Sequence, residues 1–180
     1  MRKTVLIAFA DAALEAATVR GAAEALGASV YYYPIGRPSD FLAVLSGNTG
    51  FPPADVTILC MHGEDGAFLM PALAEEVYEP DEPRGPVGPD LIRKALRTGN
   101  TVLLSTACTT GREDTAAAFR ERGIVYAAPS GYAEGSAALL FAVRFLYEYL
   151  AKGAAPRCAV LCAASQDGET SMFADGEGWT

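Results

Sequence analysis

Histidine is all but missing from this 180-residue chain, where His62 stands alone. With four cysteines, no close C-x-x-C pair and one imidazole, the donors for a zinc site are lacking, and no metal is expected. A disulfide framework is not expected either, because the chain is not small and its start does not read as a secretory signal. Cys60, Cys158 and Cys162 lie in the apolar runs ILCM and CAVLC and read as small buried hydrophobes. No apolar run approaches the ~18 residues of a membrane helix. The apolar stretch Val5 to Ala10 behind the basic start is closed by Asp11, too early for a targeting segment, so a cytoplasmic protein is expected. Positive charge is short as well. Fourteen Lys and Arg against 22 Asp and Glu leave a net charge of -8, which argues against nucleic acid and favours neutral or cationic partners. Residues 8–13, AFADAA, hold no glycine, so the phosphate loop of a nucleotide binder is missing after the first strand-like run, and G-x-S-x-G is missing throughout. No cofactor is expected.

What is present is a compact, apolar composition: 51% hydrophobic and 20% charged residues. Strand-like runs at 4–10, 29–34, 55–61, 101–107, 124–130 and 157–164 alternate with helical stretches. Asp11 reads as the cap of the first helix and Gly27 as its end. Short helical character is expected at DFLAVLSG and in part of GAFLMPALAEEVYE. DLIRKALRTG reads as a helix ending at Gly99, and the tail DGETSMFADGEGW as a terminal hairpin. The alternation predicts an α/β fold, a three-layer sandwich around a mostly parallel six-stranded sheet. The continuous apolarity of the strands predicts helices on both faces. One domain over 1–180 is expected, with an exposed Pro/Gly-rich loop at 79–89, EPDEPRGPVGP.

Ligands of open α/β sheets bind beyond the carboxyl ends of the strands. Two such ends carry chemistry. The third run ends in Cys60-Met61-His62-Gly63 and the fourth in Thr106-Ala107-Cys108 followed by Thr-Thr-Gly. If these strands are neighbours, His62 and Cys108 emerge side by side. An imidazole can take the thiol proton, and the thiolate can attack a carbonyl. Gly63 leaves room for a close approach, and its N–H together with that of Cys108 could hold an oxyanion. An amidotransferase-like hydrolase would carry its histidine downstream of the cysteine; here it lies upstream.

VTILCMHG at 56–63, TVLLSTAC at 101–108, the Cys-Thr-Thr-Gly turn and APSGYAEGSAALLFAVRFLYEYL together resemble the caspase-like cysteine peptidases, with their legumain, gingipain, clostripain, separase and CHAT relatives. The resemblance implies a caspase/hemoglobinase-like sheet of six strands, five parallel and the last often antiparallel. It implies a thiol protease, a hydrolase acting on peptide or protein substrates through an acyl-enzyme intermediate. His62 would be its general base and acid, Cys108 its nucleophile, and Gly63 and Cys108 its oxyanion donors. An inactive relative serving as an interaction module is the alternative. The acidic loops suggest cleavage after Lys or Arg. Asp65 and Glu134 are either pocket carboxylates or solvated charges, Tyr132 either a pocket wall or a surface aromatic, and Glu113 and Asp114 read as helix-start charges. The apolar helix faces leave a homodimer open.

Overall fold

The computed structural model describes residues 2–97, 102–174 and 179. Its centre is a five-stranded sheet built from β1 (Thr4–Phe9), β2 (Ser29–Pro34), β3 (Val56–Cys60), β6 (Val102–Ser105) and β7 (Val125–Ala127), in the order β2-β1-β3-β6-β7. Every pairing in it is parallel. A second, two-stranded ribbon joins β4 (Gly63–Glu64) to β5 (Ala67–Phe68). The helices are α1 (Ala13–Ala25), α2 (Pro38–Ser46), α3 (Pro89–Ala95), α4 (Glu113–Arg120), α5 (Gly135–Leu146), α6 (Pro156–Ala164) and α7 (Gly168–Ser171).

Strand alternation sorts the core into two layers. Val5 and Ile7 of β1, with Val56, Ile58, Val102 and Leu104, pack against Val19 of α1, Phe141 and Phe145 of α5 and Val160 of α6. Leu6 and Ala8, with Leu59, Leu103 and Tyr126, pack against Phe41 of α2, Ile92 of α3 and Phe119 of α4. Both sheet faces are covered, as the unbroken apolar strands require.

The expected sixth strand is corrected by the fold. Residues 156–164 form α6, begun by Pro156 at its first turn, and not an antiparallel strand. RCAVLCAA lends itself to this because Ala159, Val160, Ala163 and Ala164 share one helical face and bury it. The opposite face carries Cys158 and Cys162, which are therefore exposed and not the buried hydrophobes the run suggests. The sheet is thus five-stranded and wholly parallel, and the caspase/hemoglobinase-like architecture is not formed.

Smaller departures have similar local causes. Ala12, not Asp11, is the cap of α1, and it makes no side-chain cap bond. The stretch after β5 carries only a 3-10 turn at Glu75–Val77. The tail is helical at Gly168–Ser171 and Met172–Ala174, because Asp167 caps Thr170; residues 175–178 and Gly99 lie outside the described residues. In the 79–89 loop, Glu82 and Val87 are buried, and Val87 bridges to Phe68. Among the described residues no helix is long and apolar enough to cross a membrane.

Candidate functional site

The strand order reverses at β1, which places the crevice of this sheet between the carboxyl ends of β1 and β3, with β6 next in line. Register carries the two expected residues there. Leu59 of β3 pairs with Ser105 of β6, and the Thr106 N–H donates to Leu59 O at 3.0 Å. Three residues further along each chain are His62 and Cys108. His62 is exposed and Cys108 half-buried.

Gly63 fastens the two chains together. A Cβ at this position would lie 2.5 Å from Cys108 O, 2.8 Å from Thr110 Cγ2 and 3.0 Å from Ala107 Cβ, so only glycine allows the approach. The chain then folds back through an Asp65-Gly66 turn, with φ of 48° and 78°, into the β4–β5 hairpin. Because Leu69 N–H donates to His62 O, Gly63 and Phe68 form a non-hydrogen-bonded pair, and the Gly63 N–H faces away from β5.

The loop that bears Cys108 is held by almost every polar group it has. Thr106 N–H donates to Leu59 O, Ala107 N–H to Ser105 Oγ, Thr109 N–H to Gly131 O, Thr110 N–H to Ala107 O, Gly111 N–H to Pro129 O and Arg112 N–H to Thr109 O. In the run Thr106–Arg112 the Cys108 N–H is the one amide without an acceptor among the described residues. Thr109 is buried with φ of 61°, a left-handed conformation costly for a β-branched residue. It is kept there by Gly66 N–H donating to its Oγ1 at 3.0 Å. Below, Ser105 and Thr110 hydroxyls meet at 3.3 Å, and Tyr126 OH donates to Thr110 O at 3.1 Å. Burial pushes the Tyr126 hydroxyl well above its usual pKa.

The remaining expected residues are spread around this loop. Cys108 Sγ faces Ala133 O at 3.8 Å, and no hydrogen bond joins it to His62 among the described residues. Tyr132 stands 63% exposed beside Ala133. Glu134 is the exposed cap residue of α5, and Asp65 is an exposed turn residue paired with Arg112 at 3.4 Å. Glu113 and Asp114 open α4, the position that suits their charge.

Sequence reasoning misses Glu15. From the first turn of α1 its Oε1 accepts from Thr106 Oγ1 at 2.7 Å. Burial first, and then this carboxylate, raise the Cys60 thiol well above its ordinary pKa. The only signal for Glu15 in the sequence is an acidic residue one turn into the helix after the first strand. Among the described residues no cluster of His, Cys, Asp and Glu could hold a metal ion.

No protein-family model matches the chain, and no curated protein is significantly similar to it. Among solved structures, a flavodoxin of Streptococcus pneumonia TIGR4 is similar at a TM-score of 0.44 and 16% identity, over 83% of this chain and 99% of that one. A short-chain flavodoxin associated with a non-canonical PDU bacterial microcompartment is similar at a TM-score of 0.42 and 19% identity, over 86% of this chain and 100% of that one. The five parallel strands in the order 2-1-3-4-5, with α6 where a sixth strand was expected, overturn the caspase-like resemblance and what it implied: a thiol protease, acyl-enzyme hydrolysis of peptides after basic residues, and an inactive caspase-like module.

In this strand order flavodoxins hold flavin mononucleotide at the switch point. The residues here do not fit that group. The turn after β1, Ala10 to Ala13, has no glycine and no capping side chain, and it carries exposed Asp11 with Glu15 one turn on. Carboxylates stand where a phosphate would need donors.

Proposed function

We propose that the carboxyl edge of the sheet is a small-ligand site in which the Cys108 thiol adds reversibly to a carbonyl carbon. The S–C bond forms, the thiol proton passes to the carbonyl oxygen by way of His62, and no bond of the ligand skeleton is broken. The product is a hemithioacetal. The observation that carries this reading is the Cys108 amide. In a loop where each neighbouring N–H is bonded, the one left over belongs to the residue bearing the thiol. An unpaired donor on a rigid loop is a preorganised partner for a developing alkoxide, and Gly63 N–H is the second donor. The rigidity rests on Thr109, Gly63 and the Ser105–Thr110–Tyr126 bonds.

Tyr132 supplies an apolar wall. Asp11, Glu15, Glu64 and Glu134 favour an uncharged or cationic ligand over an anionic one. The unpaired state of Cys60, Cys108, Cys158 and Cys162 suits the reducing cytoplasm.

Propanal enriched with carbon-13 at its carbonyl tests the site. The protein should give a saturable hemithioacetal resonance that Cys108→Ser removes. A resonance unchanged by Cys108→Ser, or none at all in the native protein, overturns the reading.

A further inference from the structure

Thr106 and Cys108, just beyond the end of β6, both turn to the side of the sheet that α1 and α5 cover. Thr106 Oγ1 donates to Glu15 Oε1 in the first turn of α1 at 2.7 Å, and Cys108 Sγ faces Ala133 O, immediately before α5, at 3.8 Å. α1 and α5 pack side by side, so Thr106 and Cys108 floor a crevice between their first turns. Glu15 stands on one side of it, Ala133 and Glu134 on the other. Glu15 is half-buried, and it has no basic partner among the described residues. Asp11, Glu134 and Glu169 lack one as well, Glu169 Oε2 accepting from Glu134 N–H at 3.2 Å. The cations of the neighbouring segments are engaged elsewhere, Arg20 with Glu24 at 2.9 Å and Arg112 with Asp65 at 3.4 Å.

We propose that Glu15 makes the Cys108 site selective for an aldehyde that carries a cationic nitrogen two or three bonds from its carbonyl carbon. This rests on the thiol addition proposed above, and it names the ligand class and the residue that selects it. Charge balance decides the sign. The two helix N-termini contribute about half a positive charge each, and the four carboxylates outweigh them. Reach decides the spacing. Two residues of chain span at most ~7 Å, so a ligand whose carbonyl carbon is bonded to Cys108 Sγ brings a nitrogen two or three bonds away against the Glu15 carboxylate on Thr106. The bonds made and broken are those of the hemithioacetal, and the cationic group stays intact. Glu15 is thereby a specificity-determining residue, held in place by the Thr106 hydroxyl.

Two aldehydes of the same shape test this, 2-(trimethylammonio)acetaldehyde and 3,3-dimethylbutanal, which differ only in nitrogen against carbon. Each is enriched with carbon-13 at the carbonyl, and its dissociation constant is read from the hemithioacetal resonance. The cation is intrinsically the more electrophilic aldehyde, so the ratio of the two constants is compared between proteins, where that difference is common. The ratio should favour the cation about tenfold more in the wild type than in Glu15→Gln, which keeps an oxygen for Thr106 and loses the charge. Glu24→Gln, the same change of charge at the far end of α1, should keep the wild-type ratio. A ratio equal in wild type and Glu15→Gln, or one lowered as far by Glu24→Gln, overturns the selectivity while thiol addition stands. No resonance with either aldehyde overturns thiol addition, and the selectivity with it.

Discussion

The backbone of Gly63 rests on the carbonyl of Cys108, so closely that a single added carbon would come within 2.5 Å of that oxygen. The residue after the chain's only histidine thereby sets the position of the half-buried thiol. Gly63→Ala has nowhere to relax except by moving the Ala107–Thr110 loop. We expect a loss of about 2 kcal/mol in denaturant unfolding. We also expect roughly tenfold or slower alkylation of Cys108, since small displacements of a reacting group are costly. Unchanged stability with unchanged alkylation would show that the contact carries no constraint.

Tyr126→Phe removes one hydroxyl from beneath the same loop. The ring stays stacked on Phe119 at 4.1 Å, so the packing survives while the bond to Thr110 O is lost. The expected cost is about 1 kcal/mol. Hydrogen exchange should rise at the Thr109 and Thr110 amides and not in β1; a uniform rise over the sheet would mean a general loss of stability and no specific support of the loop.

Glu82 is a buried carboxylate in the proline-rich loop, its side chain 1% exposed. It accepts from Arg37 Nε at 3.0 Å and Nη2 at 2.7 Å, from Ser39 N–H at 2.8 Å and from Glu79 N–H at 3.1 Å. The Arg37 guanidinium, first among these donors, holds its pKa far below the ordinary 4.5. The folded value being the lower one, the stabilisation is complete above about pH 4.5 and fades as pH falls further towards the folded value. Glu82→Ala should cost about 2 kcal/mol at neutral pH, less than a fully buried pair because Arg37 is 28% exposed. The gap between variant and wild type, followed by urea unfolding, should narrow on acidification below that point. A gap that widens in acid would contradict the assignment.

The alternation of strands and helices, and the neighbouring of the two strands that precede His62 and Cys108, were legible because continuous apolar runs fix parallel strands. α6 was not, since RCAVLCAA satisfies a strand run and a helical stripe equally well, and only packing chooses the face of Ala159, Val160 and Ala163. Asp65 and Gly66 carry a plain Asp-Gly turn signal, and the chain folds back there into the β4–β5 hairpin. Glu15 was invisible for another reason: its partner Thr106 is 91 positions away, and nothing local marks the pair. The short blocks around His62 and Cys108 suggested a peptidase because many α/β sheets end strands this way, and the strand count excludes that architecture.

The most direct test of the Cys108 site is a competition among cysteines in the native protein, read by peptide mass spectrometry after brief iodoacetamide treatment. Cys158 and Cys162 are exposed, Cys108 only half-buried and Cys60 fully buried, so accessibility alone would place the first two ahead. Under the proposed role of His62 as acceptor of the thiol proton, Cys108 should be modified first, and His62→Ala should slow it at least about tenfold without affecting Cys158 or Cys162. Modification of Cys158 and Cys162 ahead of Cys108, or a Cys108 rate indifferent to His62→Ala, would contradict the account.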